Sequence, residues 1–242
     1  MRHWAVLGAL AATPALSETI VSAQYAGPTD RYTHGVLGDA IEWSVLEIKT
    51  DNRSSNGLAV ETAQREWIYE IRLPLNRVFE DVAPRLADLD GDGTPEVIVV
   101  ETEVNTGAQL AIYDETGKIA ATPHIGTRNR WLAPVGAADL DGDGHVEIAY
   151  IDRPHLAKTL RVWRFQDNEL TEIATVAGLT NHRIGEVDIA GGIRDCGQGP
   201  EMITADANWT QIIATRLVDG QLQTTPIGPH KGRASFEKAL SC

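Results

Sequence analysis

The sequence predicts an all-β protein assembled from four similar units, and three observations carry that prediction. Residues 87–99 (ADLDGDGTPEVIV) and 138–150 (ADLDGDGHVEIAY) are nearly the same segment, 51 residues apart. The same step outward lands on Gly38-Asp39, followed by Glu42 and the apolar run 43–48, and on Val187-Asp188, followed by Glu201 and the run 202–205. Asp39, Asp88, Asp139 and Asp188 are thus separated by 49, 51 and 49 residues. Within the units, apolar residues come in short runs between turn residues and almost nowhere follow a helical period. Composition is the third observation: 43% apolar residues and 22 glycines in 242 suit a packed globular chain.

From the N-terminus, Arg2, the apolar run 4–12 and the small-x-small tripeptide Ala15-Leu16-Ser17 read as a secretory leader, with 1–17 removed and Glu18 first in the mature chain. A buried N-terminal helix is the other reading of that run. Losing Arg2 and no acid would take the net charge from -13 to -14. The run is far shorter than the roughly 20 residues that cross a bilayer, so no membrane insertion is expected. The product is placed outside the cytoplasm, in the periplasm or the extracellular space.

Each unit reads as a four-stranded meander. In the third, strands are expected at 133–138, 147–152, 159–166 and 170–177, and the units at about 32–75, 82–124, 133–177 and 184–228, with 229–242 as a tail. Four strands per fifty-residue repeat is the pattern of a β-propeller blade, because one such sheet cannot bury both faces alone. The segments leading into the units also recur: Asp30-Arg31, Asn76-Arg77, Asn129-Arg130, His182-Arg183 and Lys231-Gly232-Arg233. By this register 19–25 is an outermost strand that pairs with the last blade and closes a β-propeller-like ring, removing exposed edges. A curved open array is the structural alternative.

The repeated loops carry chemistry. Asp88, Asp90, Asp92 and Glu96, like Asp139, Asp141, Asp143 and Glu147, place carboxylates at positions 1, 3, 5 and 9. Oxygen donors at alternating positions suit a hard cation such as Ca²⁺, with backbone carbonyls of Thr94 and His145 at position 7. The glycine at position 6 permits the sharp turn. The closing acid at 9 and the flanking strands exclude an EF-hand. Two Ca²⁺ sites are therefore expected, and none at Asp39 or Asp188, where the loop is shortened or lacks the inner acids. A solvated acidic turn is the alternative reading.

Cys196 and Cys242 are an even pair in an exported chain, which favours a disulfide. Closing 47 residues would stabilise the fold by about 4 kcal/mol. Free or intermolecular thiols are the alternative. Cys196 sits inside the fourth loop, so the bridge is expected to fix that loop where an ion fixes the two before it.

The chain holds 21 Lys+Arg against 34 Asp+Glu, and no basic stripe of the kind phosphate binding needs, which excludes nucleic acid as partner. No nucleophile elbow, phosphate loop, zinc motif or dinucleotide fingerprint is present.

The two Asp-rich loops in a β-rich chain resemble FG-GAP/VCBS repeats, the units of the integrin α-subunit N-terminal β-propeller and of many bacterial secreted proteins. The resemblance spans roughly residues 30–228, with Val135-Gly136 and Ile184-Gly185 where Phe-Gly would stand. It implies calcium ligation at the matched acids. It also implies an opposite, ligand-binding face bearing Arg31, His34, Arg77, Arg130, Trp131, His182 and Arg183, with Asn105, Arg153, His155, Asn208 and Trp209. Such a set suits an anionic ligand or a sugar through guanidinium contacts and stacking, unless each arginine pairs with a neighbouring acid, as Arg77 with Asp81. The function expected is a non-enzymatic calcium-binding interaction module for a protein or carbohydrate ligand. The alternatives are a small hydrolase or lyase acting on an anionic polysaccharide, with His34, Asp39 and Glu42 as the acid/base cluster, and a structural subunit of an envelope assembly.

Overall fold

The computed structural model describes residues 18–51 and 65–242. The expected leader, 1–17, lies outside the described residues. The first sheet group begins with β1 (Thr19–Thr29), β2 (Glu42–Asp51) and β3 (Glu66–Arg72), all antiparallel, with β2 in the centre. A second unit follows: a broken first strand, β4 (Arg77–Phe79) and β5 (Arg85–Ala87), then β6 (Glu96–Glu103), β7 (Gly107–Asp114) and β8 (Gly117–Ala121). One pair, Trp43 with Phe79, joins these two into a continuous sheet.

The third unit is the plain meander β9 (Leu132–Ala138), β10 (Glu147–Asp152), β11 (Thr159–Gln166) and β12 (Glu169–Ala177). In the fourth, the first strand is again broken, into β13 (Leu179–Thr180) and β14 (Gly192–Asp195), before β15 (Pro200–Asp206), β16 (Gln211–Val218) and β17 (Gln221–Pro229). Helix α1 (Arg233–Leu240) closes the chain.

Burial follows the sequence pattern. EVIVVETE in β6 and EIAYID in β10 are buried at every position, because both faces of these strands are covered by neighbouring units. EWIYEIR in β3 alternates, as a strand with one covered face must. The core lies between successive units. Leu46, Ile48, Phe79, Val97 and Val99 fill the space between the first and second. Ile98, Leu110, Ile112, Trp131 and Ile148 fill that between the second and third. Ile151, Leu160, Met202 and Ile213 do so between the third and fourth. Each such side chain contributes about 1.5–3 kcal/mol on burial.

Three expectations are corrected. Residues 19–25 do not reach the last unit: β1 runs along β2 from the Thr19–Asp51 pair to the Thr29–Glu42 pair, and Ile20 is buried in the first interface. Pairing with β2 satisfies the backbone of β1, and its apolar side chains Ile20, Ala23 and Tyr25 pack into the first interface. The first and fourth units meet instead through loops, where the Gly185 amide donates to the Val36 carbonyl at 3.0 Å.

Second, among the described residues the first unit has three strands and starts at β1, not at residue 32. Because β3 is antiparallel to β2 and leads into β4, β2 sets out from the junction with the second unit, where Trp43 pairs with Phe79. Strands β1 to β3 therefore correspond to the second to fourth strands of a unit. Residues 30–41 match the second-to-third connections 104–106 and 153–158, so Asp39 and Glu42 lie at the end of the unit opposite the acidic loops.

Third, in the fourth unit the loop after the first strand is only 196–199, and Cys196 directly follows β14 as Asp88 follows β5. Asp188 lies upstream and pairs with Arg233. The Cys196–Cys242 disulfide is formed, and behind it α1 buries Phe236 against Ile203, Ala205 and Ile212. Reduction is expected to cost about 2–4 kcal/mol. Hydrogen exchange should then accelerate in 192–206 and 233–240 while 132–177 keeps its protection; equal acceleration throughout would refute a local role for the bridge.

Candidate functional site

Both acidic loops are built the same way. In the first, the Asp88 carboxylate accepts from the amides of Gly91 (2.8 Å) and Gly93 (3.0 Å), folding the loop around itself. Gly93 and Gly144 both have φ 91°, where a side chain would be strained. At the start of β6, Glu96 is buried and accepts from the Leu89 amide at 2.8 Å. The second loop repeats this: Asp139 accepts from Gly142 and Gly144, and Glu147 from Leu140.

As a result, oxygens of Asp88, Asp90 and Glu96 lie within 4.8 Å of one another, and so do those of Asp139, Asp141 and Glu147. Asp92 turns toward the Thr94 amide and Asp143 toward that of His145. The donors are all hard oxygens, which fit Mg²⁺ or Ca²⁺ and not a soft metal. Burial, with Asp90 and Asp92 beside it, pushes the Glu96 carboxyl up to about 7. Burial is the larger cause, and the neighbouring aspartates add to it.

The residues expected on the opposite face separate into two groups. The first is structural. Trp131 is 2% exposed and donates its Nε1 to the Glu80 carbonyl at 2.7 Å, so its ring is a wall and not a stacking platform. His182, 1% exposed, packs edge-on against Trp131 and hydrogen-bonds His155 and the Glu186 carbonyl, both at 2.9 Å. Arg77 pairs with Glu101, and Asp81 is taken by Arg85 instead. Arg31 donates to the Arg77 carbonyl. Arg183 lies 4.2 Å over Trp209 and belongs to a neighbouring cavity with His230 and Arg233. Arginines at unit junctions fail as ligand contacts where the next strand supplies a buried acid.

The second group surrounds a cavity of about 270 Å³ whose walls include His34, Arg130, Trp131, Arg153 and His155. Arg153 is held by Asp152 at 2.8 and 2.9 Å. The Arg130 guanidinium donates to the Asn129 carbonyl and has no acidic partner among the described residues. Burial, followed by the neighbouring His182, lowers His155 to about 4, so it is neutral at pH 7 and adds no charge to the cavity. His34 Nδ1 meets the fully buried Glu80 at 2.5 Å, and Thr102 donates to the same carboxylate at 2.6 Å. Glu80 is a residue that reading the sequence missed. The signal was its spacing: Glu80, Trp131 and His182 stand 51 residues apart in turn.

Residues 81–150 match the family model of the FG-GAP-like repeat. Over that stretch the chain is similar to FG-GAP-like repeats. The matched stretch encloses both acidic loops. No curated protein matches the chain in sequence. Among solved structures, it is similar to that titled "Crystal structure of exotype rhamnogalacturonan lyase YesX", with 14% identity and a TM-score of 0.39 over 85% of this chain and 48% of that one. The chain thus spans about half the length of that structure. Among the described residues no helix is long and apolar enough to cross a membrane.

At the start of β2, Glu42 is 3% exposed, and burial together with Glu80, Asp39 and Asp81 raises its carboxyl to about 9. The unfolded chain releases this proton near pH 4.3, the folded chain only near 9. Its contribution is therefore fully favourable below pH 4.3 and is lost as pH rises toward 9. Glu42→Gln is expected to raise stability at pH 8 by on the order of a few kcal/mol and to leave it nearly unchanged at pH 4. Melting temperatures of both proteins across this range check it; parallel curves would contradict the assignment.

Proposed function

We propose that this protein is an exported, calcium-binding and non-enzymatic recognition module in which the four units form a propeller-like ring. One face is stiffened by cation binding and the other takes an anionic ligand. The observation that carries the reading is the convergence of three carboxylates within 4.8 Å in each of two loops of the matched repeat. Repulsion among these acids disfavours the loops without a cation, and six to eight oxygens, completed by the Thr94 and His145 carbonyls and water, are what Ca²⁺ takes. Asp88, Asp90, Asp92 and Glu96 would hold one ion, Asp139, Asp141, Asp143 and Glu147 the other. The ion would supply charge neutralisation and loop rigidity. The disulfide supports a location outside the reducing cytoplasm.

On the ligand face, Arg130 is the cation left for a partner, in a cavity the size of one sugar unit or one acidic side chain. An acidic glycan is the ligand that chemistry fits best, since a guanidinium without an internal acid binds carboxylate bidentately. One observation favours a second reading, a hydrolase or lyase on the same ligand class: the His34–Glu80 contact places an oriented imidazole at the cavity wall.

Calcium at a hundred times its Kd is expected to stabilise the protein by about 2.7 kcal/mol per site relative to EDTA, and the Asp90→Asn, Asp141→Asn double variant to lose most of this. A melting temperature indifferent to calcium would sink the metal reading. Arg130→Ala should abolish retention on an array of acidic polysaccharides with the melting temperature unchanged. His34→Ala separates the two readings. Turnover that the wild type shows and this variant lacks establishes the enzyme; retention without turnover in either protein establishes the module.

A further inference from the structure

The two loops have the same sequence pattern but not the same surroundings. Glu147 is paired across the sheet with Arg164 of β11. The guanidinium of Arg164 reaches three acids of the second loop: Nε meets Glu147 at 2.7 Å, Nη2 meets Asp141 at 2.9 Å and Nη1 meets Asp143 at 2.9 Å. In the second unit Val97 pairs with Tyr113, as Ile148 pairs with Trp163 in the third, so the next position, facing Glu96, is Asp114. Its carboxylate accepts from Thr116 and Gly117 and turns the chain into β8. Among the described residues no Lys, Arg or His pairs with Asp88, Asp90, Asp92 or Glu96. A guanidinium stands at one loop where a carboxylate stands at the other, a difference of two charges at one ladder position.

We propose that Arg164 makes the loops unequal: the first is the strong calcium site, and Arg164 serves the second as a built-in cation. This rests on the calcium reading above and refines it. Asp141 and Glu147 are two of the three carboxylates that converge in the second loop, and Arg164 holds both. Calcium there must compete with charge-assisted hydrogen bonds, each stronger than a neutral one, for the electron density of the same carboxylates. Among the described residues no such competitor stands at Asp88, Asp90 and Glu96. The second loop therefore keeps its shape without metal, while the first depends on it. Affinity at the second loop is expected to be weaker by about tenfold or more.

Calorimetric titration of the full chain with calcium chloride tests this, alongside Arg164→Gln and Asp114→Arg. The wild type should show one tight and one weak site. Arg164→Gln should tighten the weak site by about tenfold. Asp114→Arg, which leaves every loop acid in place, should weaken the tight one comparably. Hydrogen exchange in EDTA gives a second readout: 88–95 should exchange faster than 139–146 in the wild type, and Arg164→Gln should erase the difference. Two equal sites in the wild type, or an unchanged weak site in Arg164→Gln with an unchanged tight site in Asp114→Arg, would overturn the inference and leave calcium binding intact. No binding heat in any of the three proteins would overturn the calcium reading and this inference with it.

Discussion

The fold depends on a line of buried groups that the repeat brings together at the junctions: Glu80, Trp131 and His182. Glu80 is fully buried, its side chain held by His34 and Thr102 and its carbonyl by Trp131. Trp131 carries His182 against its ring, and His182 in turn bonds His155 and Glu186. A carboxylate withdrawn from water costs several kcal/mol unless it is paired and hydrogen-bonded, so this line tolerates little rearrangement. It fixes how each sheet sits against the next, because the same residues that satisfy one unit belong to its neighbour.

The break in the first strands of the second and fourth units follows from this constraint. Between β4 and β5, residues 80–84 leave the ladder. Glu80 keeps one backbone bond there, its amide to the Val100 carbonyl, while its carbonyl turns to Trp131. Between β13 and β14, Asn181 likewise donates to the Ala133 and Pro134 carbonyls of the preceding unit. In the third unit, Trp131 lies just before β9, and the strand runs unbroken. Residues that connect units are thus drawn out of the sheets that carry them, and the apolar interfaces on either side compensate for the lost ladder bonds.

Much of this was legible in the sequence and some was not. The 51-residue step, the two loops, the strands of the third unit and the cysteine pair were visible because each is a local pattern or an exact recurrence. The phase of the first unit was not. Gly38-Asp39-x-x-Glu42 imitates the loop motif over five residues, whereas strand direction is set by the β2–β3 pairing, which a short match cannot register. Arg164 was hidden for a related reason: it lies 17 residues from Glu147 along the chain and reaches it only through the antiparallel ladder. The burial of Trp131 and His182 was masked by turn-like neighbours, Asn129-Arg130 and Arg183, that read as surface.

Charge arithmetic links the scaffold to the proposed site. With 21 basic residues against 34 acidic ones, an arginine without an acid is conspicuous in this protein. Glu101 engages Arg77 and Lys118, Asp81 engages Arg85, and Asp152 engages both Arg153 and Arg161. These acids are buried and their desolvation is offset only while the bases stay in place, so those bases are unavailable to a ligand. Arg130 follows Asn129, whose φ is 54°, and its guanidinium donates to the Asn129 carbonyl and not to an acid. Among the described residues Arg130 shares the lack of an acidic partner with Arg31, Arg128 and Arg216, and of these it is the one on the wall of the cavity with Arg153 and His155. Strand β10 joins the two faces: it begins at Glu147 in the second acidic loop and ends at Asp152, which holds Arg153 on the cavity wall.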